Sequence, residues 1–312
     1  MNNQNGTLAG TAYAVGAFTL WGLLPLYWNL LEHVPAFEVL SHRLLWTALS
    51  VTLLLVAARR YRVLQLLRDH TVFRRLFLTG MLLGINWFTY IYAINAGRVL
   101  DASMGYYINP LVSIFLGMLF LGERLSLFQK VAVGLAGLGV LVITVHYAVI
   151  PWVALMLAGT FGFYGLIKKQ MGLRPLTALA AESSFLAPVG LAIIVTQALR
   201  GEGAFISAGT GTTGLLVVTG VVTALPLYWF AQGATRIPLS RVGFIQYIAP
   251  TLMLLIGVLV FGEPFTAAEG VSFGLIWTGL ALYSLSHFPR VRVVESRLAR
   301  HLPARSPDEK VP

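Results

Sequence analysis

Three ionisable side chains, His42, Arg43 and Glu182, stand inside long apolar stretches of this sequence. An unpaired polar group in hydrocarbon costs several kcal/mol, so each needs a partner or a task. Histidine titrates near neutral pH, and desolvation makes a carboxylate hold its proton more tightly. The chemistry open to this set is binding of a charged substrate group or coupling to protons. The structural alternative is snorkelling of Arg43 to helix-terminal carbonyls and a helix-bridging role for Glu182.

A second set combines amides and aromatics. Asn86 and Tyr90 are four residues apart, so they share a helix face, and Trp87 flanks them. With Trp21 they can line an apolar pocket carrying a few oriented polar groups; for any one aromatic, packing is the simpler role, and Trp28, Trp152 and Trp229 suit an interfacial belt. Pro110 and Pro250 lack the N–H that would bond the carbonyl four residues earlier, which frees the carbonyls of Tyr106 and Gln246. Tyr106, Asn109, Gln246 and Tyr247 lie beside these two expected helix breaks, where discontinuous helices can offer backbone groups to a substrate. A simple kink is the alternative. Gly117, Gly257 and the pair Gly80 and Gly84 fit close helix contacts, and Glu123 and Glu263 fit capping or gating at loop ends. The stretch GTGTTG at 209–214 matches G-x-G-x-x-G but follows no strand, so it carries no weight. No phosphate-binding loop, H-E-x-x-H or G-x-S-x-G is present, and there is no cysteine. Catalytic residues, metals, cofactors and ATP hydrolysis are therefore not expected.

The elements that must position these residues follow from composition. Of 312 residues, 57% are hydrophobic and 11% charged, with a mean hydropathy of +0.77. A soluble domain carries roughly a quarter charged residues, so neither a water-soluble enzyme nor a disordered chain is expected. Ten apolar stretches long enough to cross a bilayer occupy about 8–31, 37–58, 76–97, 99–121, 127–147, 151–167, 176–198, 213–234, 239–261 and 266–288. They are too long for strands and lack period-two alternation, so the expected fold is an all-α integral membrane bundle. The first nineteen residues hold no Lys or Arg, so the basic region of a secretory signal peptide is not expected there.

The net charge of +10 would suggest nucleic acid in a soluble protein. Laid on ten spans with a cytoplasmic N-terminus, it becomes topology: 19 basic residues fall on the inside and 2 outside, with Arg43 in a span. The inside set includes the stretch 59–75 with six Arg, Lys168 and Lys169, and a basic tail at 290–312. Both termini are expected in the cytoplasm, with membrane lipids and a small-molecule substrate as partners and no nucleic acid.

The chain also repeats itself. Residues 107–139 and 247–279 match without a gap at 11 of 33 positions, including Tyr107 with Tyr247, Pro110 with Pro250, Gly117 with Gly257, and Gly122-Glu123 with Gly262-Glu263. The offset of 140 also pairs Gly22 with Gly162 and Pro35 with Pro175. Two five-helix repeats, 1–147 and 148–289, are expected. Five is odd, so the second enters the membrane inverted, an architecture of secondary transporters. His42 and Glu182 correspond under this offset, and opposite entry leaves about 10 Å between them along the membrane normal.

The stretches LWGLLPLYW (20–28), HRLLW (42–46), INWFTYIYAINAG (85–97), GYYINPL (105–111), FLGERLS (120–126), TALPLYWFA (223–231) and GFIQYIAPTL (243–252) resemble the RarD subgroup of EamA-type transporters, in the drug/metabolite transporter superfamily. The resemblance spans about residues 8–288. It implies ten helices, two EamA-type repeats, residence in a bacterial inner membrane and transport of small molecules, most often outward. It leaves the substrate open. The expected function is thus a secondary permease working by alternating access, with an integral membrane enzyme on lipid-linked substrates, or a channel or scramblase, as alternatives.

Overall fold

The computed structural model describes residues 2–58, 67–96, 98–147 and 152–286. The basic stretch 59–66 and the expected cytoplasmic tail at 290–312 lie outside them. Among the described residues every regular element is a helix: α1 (Asn2–Asn29), α2 (Ala36–Ala57), α3 (His70–Asn95), α4 (Val99–Leu121), α5 (Leu127–Tyr147), α6 (Trp152–Met171), α7 (Pro175–Arg200), α8 (Ala204–Ser207), α9 (Thr210–Arg236), α10 (Leu239–Gln246), α11 (Ile248–Leu259) and α12 (Ala267–Leu285). The expected ninth span is two helices meeting at Tyr247, and the linker 199–212 contains the short α8.

Helix ends follow local chemistry. Pro35 precedes α2 and Pro175 opens α7, where a missing N–H costs nothing. The Asp69 carboxylate accepts the amides of Thr71 and Val72 to start α3. Thr266 and Glu269 form a reciprocal capping box on α12. Gly122 and Gly262 take φ of 63° and 68°, and the following Glu123 and Glu263 amides return to the carbonyls of Gly117 and Gly257 at 3.2 and 2.9 Å.

Pro110 does not break its helix as expected: α4 runs unbroken from Val99 to Leu121. Gly243 of α10 packs so closely on this turn that a Cβ there would lie 2.6 Å from the Pro110 carbonyl. One lost bond in a turn braced by a neighbour leaves the helix intact. Pro250 follows the interruption at Tyr247, as its freed Gln246 carbonyl leads one to expect.

Among the described residues, eight helical spans are long and apolar enough to cross a membrane: 5–29, 36–57, 70–94, 102–121, 127–147, 175–200, 210–236 and 239–259, the last including both α10 and α11. α6, whose last turn carries Lys168-Lys169-Gln170, and α12, with Glu269 and Ser272, are more polar. Large apolar side chains such as Leu53, Leu119 and Leu199 are exposed, as a lipid-facing surface requires.

The chain forms two compact units. One comprises residues 1–123 and 148–265. Within it α2 packs along α7, α4 along α6 and α10, α1 along α9 and α11, α3 along α6 and α7, and α9 along α2. Its core is rich in small and aromatic residues, among them Ala14, Ala17, Phe18, Tyr164 and Phe230. The other comprises 124–147 and 266–312, and in its described part α5 lies along α12. A Cβ on Gly139 would fall 2.7 Å from the Ser272 carbonyl, and one on Gly279 would fall 2.8 Å from that of Ala132. These glycines permit the two backbones to touch.

Candidate functional site

The ionisable residues expected inside the spans fall into three separate clusters. Arg43, on α2, lies among α1, α3, α4 and α9. Its guanidinium carbon is 4.9 Å from the ring centre of Trp28 and 5.1 Å from that of Trp87. Its Nε donates to Thr223 Oγ1 at 3.2 Å. Tyr90 and Tyr106, packed edge to face at 6.4 Å, both interact with its charge. No carboxylate pairs with Arg43 among the described residues. Two indole faces offset part of the cost of the partly buried cation.

Glu182, fully buried on α7, sits elsewhere. Its Oε1 accepts from Thr79 Oγ1 at 2.6 Å and its Oε2 from the Tyr164 hydroxyl at 3.4 Å. Lys168 Nζ, on a residue only 3% exposed, lies 2.8 Å from Oε2. Lys168 was expected among the cytoplasmic loop charges; α6 instead continues to Met171 and carries it into the core. Gly80 of α3 lies under the Glu182 backbone, where a Cβ would meet the Glu182 carbonyl at 3.2 Å, and this close approach brings Thr79 within reach.

His42 faces a third set. Its Nδ1 accepts from Trp46 Nε1 at 3.0 Å, which in the neutral ring leaves the proton on Nε2. Nε2 is 4.0 Å from Glu38 Oε1 and has no hydrogen-bond partner among the described residues. The imidazole stacks on Phe205 with 4.6 Å between centroids. Glu38 Oε1 accepts the amides of Ala204 and Phe205 at 2.7 and 3.1 Å, so this carboxylate holds the start of α8, while its Oε2 is buried without a partner. His42 and Glu182 correspond in the repeat, yet each has its own neighbours.

The amide and aromatic candidates divide similarly. Trp87 and Tyr90 stand at Arg43, whereas Trp21 packs among Phe18, Phe161 and Phe230 at 5.2, 5.6 and 5.9 Å. Asn86 Nδ2 donates to the Leu157 carbonyl and to Thr160 Oγ1, both at 2.9 Å, which clamps α3 to α6. Asn109 Oδ1 and Gln246 Oε1 are buried with no partner. Asn109 is one turn beyond Tyr106 on the same face of α4, and Gln246 one turn beyond Gly243, which touches Pro110. Tyr247, at the break, donates to the Tyr107 carbonyl at 3.4 Å.

Sequence reasoning missed Glu38, Thr79, Lys168 and Thr223. Glu38 had a visible signal, since it precedes His42 by four residues on one helix face.

The two Gly-Glu pairs are built alike and used differently. A Cβ on Gly117 would meet Glu123 Oε2 at 2.7 Å, and one on Gly257 would meet Glu263 Oε2 at 2.6 Å. Each carboxylate folds back over its glycine. Glu123 then caps α10, accepting the amides of Leu239 and Ser240 at 2.6 and 2.8 Å. Glu263 is exposed and makes no such bond.

Comparison with known proteins adds the following. The EamA-like transporter family matches residues 8–145 and again 150–285. Transporter YojE of Bacillus subtilis is 43% identical over 294 residues, 93% of this chain and 98% of the relative. Protein RarD of Streptomyces exfoliatus is 40% identical over 304 residues, 97% of this chain and 96% of the relative. A solved crystal structure of a protein only 19% identical aligns over 89% of this chain and 98% of its own with a TM-score of 0.68, a likeness of fold.

Proposed function

We propose a mechanism from one premise: the chain belongs to the EamA-like transporter family and is a multi-pass membrane protein. On our reading it is a secondary permease of the bacterial inner membrane. Ten spans in two inverted repeats, 1–147 and 148–289, leave both termini cytoplasmic, and a small metabolite or drug-like molecule is exported by alternating access. Three features support the repeat reading. The family matches twice, the sequence repeats at an offset of 140, and helix contacts pair in the same way: α1 with α9 echoes α6 with α3, and α2 with α9 echoes α7 with α3.

The observation that carries alternating access is the unequal state of the two Gly-Glu pairs. The amides of Leu239 and Ser240, bound by Glu123, correspond under the offset to those of Val99 and Leu100. Glu263 is thus the natural cap for the start of α4, the mirror of what Glu123 does for α10. One latch is engaged and its counterpart is idle. In the proposed orientation Glu123 lies at the cytoplasmic end and Glu263 at the outer end, so this conformation is closed inward and open outward. The opposite conformation releases Glu123 and engages Glu263.

The absence of native cysteine makes the test direct. Single cysteines placed along the Arg43 side of α3 are labelled with a membrane-impermeant thiol reagent in oriented vesicles. Glu123→Gln should shift labelling toward cytoplasmic access and Glu263→Gln toward outer access. Shifts in the same direction would refute the reading. Saturable counterflow of an unaltered substrate in proteoliposomes further separates a carrier from a channel and from an enzyme.

A further inference from the structure

We infer that Arg43 is the anchor of an anion subsite, and that the substrate is a small organic anion with an apolar or aromatic body attached to a carboxylate or a like oxyanion. The inference rests on the permease reading and names the class of molecule that the site would take.

Arginine has five N–H donors in a planar fork. Nε uses one on Thr223, and the terminal nitrogens have no partner among the described residues. They are not sealed off either. Arg43 is only partly buried, and its nitrogens are not among the buried atoms left without a bond. A fork whose two outer nitrogens stay open matches two oxygens of a carboxylate or phosphate edge.

The surroundings hold the fork and supply no counter-charge. Trp28 and Trp87 lie 4.9 and 5.1 Å from the guanidinium carbon and fix it through their faces. The Thr223 bond fixes its rotation. Tyr90 and Tyr106, packed on each other at 6.4 Å, flank the cluster and carry hydroxyls, not carboxylates. Contrast Lys168, whose charge is met at 2.8 Å by Glu182. The same compact unit thus neutralises the buried cation Lys168 and leaves the partly buried Arg43 unneutralised beside groups that pack well on an apolar body. An arginine kept only for structure would be expected to spend its donors on helix carbonyls or a carboxylate. Arg43 spends one donor on one hydroxyl.

The residues come from five helices, so the subsite depends on how those helices are arranged. Trp28, near the end of α1, places the cluster toward the outer half of the membrane in the proposed orientation, on the side that the idle Glu263 latch leaves open.

The test uses the purified full-length protein and its own tryptophans. Benzoate, 3-phenylpropanoate, indole-3-acetate and hexanoate are each titrated against the corresponding primary amide, read by Trp28 and Trp87 fluorescence and, for the indole pair, by thermal shift. At least one carboxylate should bind about tenfold or more tighter than its amide, the discrimination of a charge-assisted fork. Arg43→Gln should abolish that preference while leaving amide binding in place. Arg43→Lys, which keeps the charge and loses the fork, should fall between and guards against a Gln variant that does not fold. Equal binding of acids and amides across the set, or an unchanged preference in a folded Arg43→Gln protein, overturns the proposal. Counterflow with the same compounds separates the two readings. Carboxylate binding without exchange would sink the permease and leave the subsite standing. Exchange confined to amides or amines would sink the subsite and leave the permease standing.

Discussion

Replacing Glu182 with Gln should be among the most damaging isosteric changes in this protein, and Lys168→Met should partly repair it. At an effective dielectric of about 20, charges 2.8 Å apart attract by roughly 6 kcal/mol, most of which offsets the cost of burying them. Breaking such a pair from one side costs about 3–5 kcal/mol because the other charge is left alone. The two sides are not equivalent. In Lys168→Met, Glu182 still accepts from Thr79 at 2.6 Å and Tyr164 at 3.4 Å. In Glu182→Gln, Lys168 loses its counter-charge and keeps at most one neutral amide oxygen and the Tyr164 ring, 5.3 Å from its nitrogen. Glu182→Gln should therefore lose about 4 kcal/mol, Lys168→Met about 3, and the double variant about 1, since two neutral groups need no counter-charge. Reversible unfolding of purified protein in mixed detergent and SDS measures all three and closes a double-mutant cycle. Additive losses would refute the reasoning, as would a larger cost for Lys168→Met. Transport by the double variant then isolates function: an altered pH dependence in a stable protein would show that Glu182 carries protons as well as holding α7 to α3 and α6.

Gly117→Ala should release the α10 cap, because its Cβ would occupy the Glu123 carboxylate's place at 2.7 Å; thiol labelling should then move in the same direction as in Glu123→Gln. Gly257→Ala should be milder in this conformation, since the exposed Glu263 carboxylate can swing aside, and a thermal shift equal to that of Gly117→Ala would contradict this. Glu38→Gln replaces two charge-assisted bonds to Ala204 and Phe205 by neutral ones, so amide exchange at 204–207 should quicken by about tenfold. Asn86→Ala should cost about 1–2 kcal/mol by freeing α3 from Leu157 and Thr160. Asn109→Ala and Gln246→Ala, which break no protein bond, should change substrate affinity more than membrane abundance; equal loss of both would mark them as packing residues.

The helices were legible because hydrocarbon imposes a long uninterrupted apolar run, and Pro35 and Pro175 announce where two of them begin. Side-chain partnerships were less legible, because they join helices far apart in sequence. Thr79 and Glu182 are separated by 103 residues, and Arg43 and Thr223 by 180. Lys168 reads as a loop charge until its carboxylate is seen, since a basic residue ending an apolar run also satisfies topology. Pro110 and Pro250 are equivalent letters in the repeat, yet α4 stays whole through Pro110, as α1, α7 and α9 do through Pro25, Pro188 and Pro226, so the letter alone does not say where a helix breaks. Asn86 and Trp21 are pocket candidates by type, and the bonds and ring contacts by which they also fasten helices could not be read from type alone. The Gly-Glu pairs were visible as a repeated motif, but the glycine's purpose, room for a carboxylate, was not.

The pairing of α5 with α12 has a consequence for biogenesis. The ribosome completes Tyr147 well before it begins Ala267, and more than a hundred residues of other helices emerge in between. During that interval the face of α5 bearing Ala132, Ala136 and Gly139 has no mate, for it is shaped to receive Ser272, Ile276 and Gly279. An early helix must wait in the bilayer with its narrow seam facing lipid or an insertion factor. α12, made after all of these, then closes the contact that α5 left open, so a chain truncated before residue 267 would forfeit this pairing while still having synthesised every residue around Arg43.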